Sequence, residues 1–416
     1  MREMKDSGVE WIGEIPDDWV LGKIGQFYTE RNTKVSDTEY HPLSVTKKGI
    51  VPQLSTAAKT NDSENRKLIK QHDFVINSRS DRRGSCGISQ YNGSCSLINI
   101  VLEPRSNMCS SYYNYVFKSD LFADEFYKWG NGIVDDLWST KWSQMKKICV
   151  PYPPIPEQNA IADYLDSKCS QIDFIVEKTR QEIEKLKEYR QSMITEAVTK
   201  GLDPDVEMKD SGVEWIGEIP AHWRISEFGR VAEIKSNLVD PRKYPELHQI
   251  SPDSIEKGTA KVLTEKTVAE AGVESPNHNF RAGQIIYSKV RPTLNKVTIA
   301  PFDGLCSADM YPIESSVNTR FLLYVMLSSA FVTQVGMITQ DRVKMPKINR
   351  RELSSISITL PSEKEQEEIV TYLDCKLDEI DLVCSYKIAL IHKLQQYKKS
   401  IIYECVTGKK EVPSYA

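Results

Sequence analysis

The 416-residue sequence lacks the signatures of a self-sufficient enzyme. It has no G-x-x-x-x-G-K-[ST] loop for nucleotide phosphates and no G-x-G-x-x-G turn for a dinucleotide. It also has no D-P-P-Y or N-P-P-Y tetrad for methyl transfer; VPYPP at 150–154 is without the Asp or Asn that would hold a target amine. Pro204-Asp205 followed by Glu207 and Lys209 superficially resembles a nuclease motif, but its carboxylates are too close together and read as solvated linker charge. The nine cysteines form no C-x-x-C pair and are odd in number, which predicts reduced thiols, and the six dispersed histidines offer no zinc-ligand set. Long apolar runs are missing as well. The most apolar stretch, 321–338, is interrupted by Ser328, Ser329, Thr333, Gln334 and Gly336 and is expected to be a buried helix rather than a membrane span. The charged start MREMKDSGVEW predicts no secretory signal and a cytoplasmic protein. Excess positive charge is absent overall, the net charge being −4.

That net charge conceals an alternation. Lys and Arg counted against Asp and Glu give −4 for residues 1–19, +5 for 20–150, −7 for 151–220, +4 for 221–358 and −2 for 359–416. Basic blocks can face a polyanion, whereas acidic connectors would not lie along phosphate. The organisation explains the pattern. MKDSGVEWIGEIP occurs unchanged at 4–16 and 208–220, each copy followed at the same distance by a tryptophan (Trp19, Trp223), so the chain is an internal duplication. Glycines and prolines in the string exclude a continuous helix and predict a turn-rich segment pinned by Trp11 and Trp215, either a plug for each half's core or a docking surface for two copies of one partner.

Residues 20–150 carry short β-like runs such as 73–77 and 96–102 between Gly, Asn and Ser turns, then an aromatic helical stretch from Tyr112 to about Trp129. Four prolines at 151–156 precede Glu157-Gln158, where a long helix opens. Its apolar residues Ala162, Leu165, Cys169, Ile172, Val176, Ile183, Leu186, Met193 and Ala197 alternate three and four apart, a heptad seam in which Thr179 and Arg190 are imperfect. At an offset of 208 come Glu365-Gln366 and a second seam, Val370, Leu373, Leu377, Ile380, Cys384, Ile391, Leu394 and Ile401, imperfect at the matching Lys387 and Lys398. A rod of about 40 residues exceeds what one small domain covers, which predicts that the rods pair. The predicted fold is α+β: two mixed α/β recognition domains in tandem, separated by two long helices in an antiparallel coiled coil with pseudo-two-fold symmetry. Its segments are 1–19 (N-terminal repeat), 20–150 (first recognition domain), 151–203 (first helix), 204–220 (linker and second repeat), 221–358 (second recognition domain), and 359–416 (second helix and tail). The second domain keeps the plan, with QIIY at 284–287 answering DFVIN at 73–77, while its loops differ.

Candidate DNA contacts follow from these loops. In the first domain they are Arg79, Arg82 and Arg83, since a planar guanidinium bonds two phosphate or guanine acceptors at once, with Lys47 and Lys48 a weaker pair. A solvated turn with internal ion pairs is the bland alternative for the arginines. In the second domain they are Lys289, Arg291, Asn295 and Lys296 after the QIIY run, then Arg342, Lys344 and Lys347. Candidate partner contacts are Trp11, Trp215, Glu157, Gln158, Glu365, Gln366 and the outward faces of the rods. No residue is a candidate catalyst or metal ligand.

The EWIGEIP…W string, PYPPIPEQ and its looser echo TLPSEKEQ, the YLD-x5-ID helices, the VTKG and VTGK ends at Val198 and Val406, and the duplication together resemble the DNA-specificity subunits of type I restriction-modification systems over essentially the whole chain. The resemblance implies a non-catalytic subunit that reads a bipartite duplex DNA target. It implies assembly with two methyltransferase subunits and with ATP-dependent translocating endonuclease subunits, so that S-adenosylmethionine, ATP and Mg would sit on those partners and no cofactor on this chain. Ser362 to Lys364 replace the prolines of the first half, which is expected to loosen the start of the second rod. The competing reading is a coiled-coil scaffold whose lobes bind protein and not DNA.

Overall fold

The computed structural model describes residues 2–53, 63–106, 108–132, 138–342 and 344–413; residues 414–416 of the expected tail lie outside these. The fold is α+β and divides into two compact units, one holding residues 1–179 with 388–416 and the other residues 180–387.

The recognition lobe of the first unit is built on a four-stranded antiparallel sheet in the order Cys86–Ile88, Phe74–Asn77, Asn99–Pro104, Tyr28–Glu30. Side chains alternate across it as strand geometry demands. Phe74, Ile76, Ile100 and Leu102 face an aromatic core with Tyr113 and Phe117, while Val75 and Val101 face a smaller core with Leu43, Ile50 and Ile69. Burial on both faces is why these strands read as unbroken apolar runs. The second lobe repeats the sheet as Ala232–Ile234, Met310–Ser315, Ile285–Ser288, Val297–Ile299, with Ile285, Tyr287 and Ile313 on one core and Ile286 and Met310 on the other.

The aromatic stretch expected as one helix is two, Ser110–Lys118 and Asp120–Lys128, and the apolar run 321–338 likewise splits into Thr319–Leu327 and Ser329–Thr339. A serine makes each break: Ser119 Oγ donates to Val116 O (2.7 Å) and accepts from Phe122 N (3.3 Å), and Ser328 Oγ does the same with Val325 O (2.6 Å) and Phe331 N (3.3 Å). Each hydroxyl closes one helix and caps the next. Among the described residues no single helix is long and apolar enough to cross a membrane; the bent pair that passes jointly, at 60°, is largely packed inside the second unit.

The spacer helices are Ile155–Lys200, of 46 residues, and Glu363–Val406, of 44 residues. They pack together antiparallel. In the first unit Lys398 meets Asp173 (2.6 Å); in the second Lys387 meets Glu182 (2.6 Å) and Arg190 approaches Asp381 (3.9 Å). The polar seam positions are therefore ion-paired across the coil or, for Thr179, self-satisfied through Ile175 O (2.7 Å). The start of the second helix is not loosened by the lost prolines. It begins at the position equivalent to the first, because Ser362 Oγ accepts from Glu365 N (3.4 Å) while Glu365 Oε2 accepts from Ser362 N (3.1 Å), a reciprocal cap that does the work of Pro154 and Pro156.

Candidate nucleic-acid interface and the tryptophan sockets

The duplicated string forms a hairpin in both units, Met4–Asp6 on Glu14–Pro16 and Met208–Asp210 on Glu218–Pro220. The tryptophan behind it plugs the place where the start of one spacer helix meets the end of the other. Trp19 Nε1 donates to Glu157 Oε2 (2.8 Å), and its ring lies against Gly408, where an added Cβ would come within 3.0 Å of the ring and 2.4 Å of Pro16. Trp223 Nε1 donates to Glu365 Oε1 (2.8 Å) and its ring lies against Gly201. Both glycines have positive φ, +74° and +79°, a conformation that costs any other residue. Burial would raise the Glu365 carboxyl, but bonds from Trp223, Ser362 and His222 outweigh it and hold the pKa down to about 2. In the first unit Arg2 binds Glu157 and Asp18 instead.

The glutamine beside each glutamate is a buried joint. Gln158 accepts from Cys109 N (2.9 Å) and donates to Pro153 O (2.8 Å); Gln366 accepts from Asn318 N (3.1 Å) and donates to Pro361 O (3.1 Å). Each thereby fastens the start of its lobe's helix pair to its spacer helix. The YLD aspartates fasten the same pair, Asp166 accepting from Tyr115 Oη (2.6 Å) and Asp374 from Tyr324 Oη and Arg320 (2.6 Å). Glu157, Gln158, Glu365 and Gln366, expected as partner contacts, are thus tied into the chain's own framework. Trp11 is corrected in the same way, being 5 % exposed and edge-on to Phe122, whereas Trp215 stays 38 % exposed. Next to Trp11 in the first string, Tyr403 Oη and Lys409 Nζ both donate to Ile12 O (3.0 and 3.1 Å).

On the first lobe, the arginines sit on a one-turn helix, Ser80–Arg82, that follows a central strand. Asn77 Oδ1 accepts from Arg79 N (3.0 Å) and fixes the exit of that strand. Arg82 is 68 % exposed beside Asp81, and Arg83, 47 % exposed, pairs with Asp124. Lys47 and Lys48 project from the hairpin turn between Leu43–Thr46 and Gly49–Pro52. On the second lobe the expected cations separate into two kinds. Arg291 and Lys344 are exposed. Asn295 is buried, with Nδ2 donating to Met326 O (2.9 Å), so it holds the loop and cannot face DNA. Lys296 donates to Pro252 O (2.6 Å) and pairs with Asp253 (3.8 Å), and Arg342 is locked to Glu352 and Lys347 O, so both are already engaged within the lobe. Lys289 stands over Tyr311, and Lys347 binds Asp309 (2.9 Å). All nine cysteines are free thiols.

The spacers present a separate surface. Their seams are inward, yet Phe174, Leu390 and Tyr397 in the first unit, and Tyr189, Leu382 and Tyr386 in the second, are exposed.

Two lobes on one framework with unlike loops, joined through paired helices, define a recognition protein. The sequence pattern of the type I restriction modification DNA specificity domain matches residues 16–185 and again 220–388, and the chain belongs to that family, whose role is DNA target recognition. The specificity subunit of the type I restriction enzyme EcoDI from Escherichia coli is 33 % identical over 323 residues, covering 71 % of this chain and 72 % of that protein. A chain from a structure on complex assembly and conformational transition of the type I restriction-modification system has a TM-score of 0.72 at 13 % identity, covering 95 % of this chain and 99 % of its own. The HsdS subunit from Thermoanaerobacter tengcongensis follows with a TM-score of 0.53 at 14 % identity, covering 95 % and 98 %. These two likenesses are of fold.

Proposed function

We propose that this chain is the non-catalytic reader of a cytoplasmic type I restriction-modification complex, each lobe contacting one part of a bipartite duplex target and the paired helices setting the unread interval. Two methyltransferase subunits and the endonuclease subunits would bring S-adenosylmethionine, ATP and Mg, docking on the outward apolar faces of the spacers and around Trp215. The observation that carries the reading is the contrast between repeated, interlocked framework residues and loops whose exposed charge differs between lobes. Arg79, Arg82, Arg83, Lys47 and Lys48 serve the first lobe, and Lys289, Arg291, Lys344 and Lys347 the second.

The test is methylation by the complex of this chain with its methyltransferase subunits. Arg82→Ala with Arg83→Ala is expected to abolish modification at targets defined by the first lobe, with the melting temperature nearly unchanged because both side chains are exposed. Normal modification of the native site refutes the assignment of this loop. No salt-dependent duplex binding by the assembled complex refutes DNA reading itself and leaves a protein scaffold.

A further inference from the structure

The repeat allows position-by-position comparison of the two lobes. In each, the loop after a central strand forms an isolated backbone bridge with the segment before a short helix, Arg79 with Ser139 and Val290 with Lys347. The short helices are Trp142–Met145 and Arg350–Ser354, and the final strands Cys149–Tyr152 and Ser357–Leu360 stand at the same offset. The central strands correspond as Phe74–Asn77 to Ile285–Ser288 and Asn99–Pro104 to Met310–Ser315. Ser78, Ile100 and Trp142 of the first lobe therefore hold the places of Lys289, Tyr311 and Arg350 in the second. In the first lobe these three line one cleft of about 580 Å³, together with Arg79, Ile98 and Lys141.

The same place in the second lobe is strongly cationic. The Lys289 ammonium lies 5.2 Å from the centroid of the Tyr311 ring and the Arg350 guanidinium 5.8 Å from it, both within cation–π range. Lys347 stands close by on Asp309. Asp309 is thus already engaged, and neither Lys289 nor Arg350 has a carboxylate partner within ion-pair distance among the described residues. Burial lowers the Lys289 pKa; Asp309 opposes this, and Lys347 and Arg350 lower it further. Burial likewise lowers that of His278, with help from Lys289 and Arg350, and its Nδ1 is buried without a hydrogen-bond partner. Cations held together against their own repulsion, with too few carboxylates, are stabilised by an incoming anion.

We propose that Lys289, Arg350 and Lys347, gathered around Tyr311, form a binding site for a backbone phosphate of the DNA duplex. Arg350 is the new member of this set. The two lobes then meet DNA through one framework position with different chemistry, a cation cluster around Tyr311 in the second and, in the first, a cleft where Ser78, Ile100 and Trp142 replace those three residues and the cations are Lys67, Arg79, Lys141 and Lys146. A phosphodiester fits because it brings one negative charge and two acceptor oxygens, which a guanidinium and an ammonium can share. The inference rests on the DNA-reading function proposed above.

The experiment measures duplex binding of the full chain, assembled with its methyltransferase subunits, by fluorescence anisotropy across a salt series, on target and random duplexes. Wild type is compared with Lys289→Ala/Arg350→Ala and with Arg350→Lys, and a melting curve of each confirms folding. Each lost phosphate contact lowers the slope of log affinity against log salt by about 0.9. The double variant is expected to lose between about 0.9 and 1.8 of slope, equally on both duplexes, and roughly 10-fold to 100-fold in affinity at low salt. Arg350→Lys should restore most of the slope. A folded double variant with unchanged slope overturns the proposal while DNA reading stands. Loss of discrimination at one target position with the slope intact also overturns it, in favour of a base-edge contact. Absence of salt-dependent binding by the wild-type complex overturns the underlying function as well.

Discussion

Replacing Glu365 with glutamine tests the socket directly. The side chain keeps its size and one acceptor for Trp223 Nε1 but loses the charge that draws bonds from Trp223, His222 and Ser362 at 2.7–2.8 Å. Holding a glutamate at about 2 corresponds to roughly 3 kcal/mol of stabilisation at neutral pH by linkage. The carboxylate side chain is 27 % exposed, so screening reduces the expected loss in Glu365→Gln to about 2 kcal/mol. For a unit of this size that is a drop of about 4–8 °C in melting temperature. The sign follows from the depressed pKa: the contribution is complete above the ordinary glutamate value and disappears as pH falls through about 2. Differential scanning calorimetry from pH 7 to 3 should show a constant gap between wild type and variant down to about pH 5, then a narrowing one. Equal melting at pH 7, or a gap that persists undiminished at pH 3, would refute the claim that this carboxylate clamps the tryptophan.

Two further predictions concern residues whose roles the fold redefines. Gly408→Ala is expected to destabilise by more than about 2 kcal/mol, since it combines positive φ with a clash on Pro16 and Trp19, whereas Gly212→Ala, with positive φ and open space, should cost only about 1 kcal/mol. Chemical denaturation that gives equal losses would show that the glycine–tryptophan contact carries no weight. Asn295→Ala should lower stability by about 1–3 kcal/mol by leaving Met326 O unpaired, without altering the salt slope of DNA binding. A changed slope in a protein of unchanged stability would return Asn295 to the interface.

Much of this architecture was legible because periodic signals are local. The heptad seams are buried where the three-four spacing puts them, as at Leu165, Ile172 and Leu373, although Ile391 and Leu394 are only half buried. The strand runs were visible because both sheet faces are covered. The serine breaks at Ser119 and Ser328 escaped because a single hydroxyl in an apolar run looks like an ordinary helical residue. The EQ pair was misread as a partner contact because its counterparts are remote: Trp19 lies 138 residues before Glu157 and Trp223 lies 142 before Glu365, so no local pattern joins them. Asn295 looked polar and accessible beside Lys296, but its backbone sits in the left-handed region at φ +46° and turns the amide inward. Arg350 drew no attention in sequence because nothing local distinguishes it from Arg351; its neighbours come from elsewhere in the chain, Lys289 from a loop and Tyr311 from a strand.

The discontinuity of the first unit has a consequence for synthesis. Its core includes Ile401, Cys405 and Val406, and Tyr112 Oη donates to Val406 O (2.8 Å) across 294 residues of chain. The ribosome must therefore make the 208 residues of the other unit, 180–387, before the first can be completed, about 10–40 s at ordinary elongation rates. During that interval the nascent amino-terminal half keeps open the groove that its own last helical turns will fill, while the second unit, being contiguous, can close as it emerges.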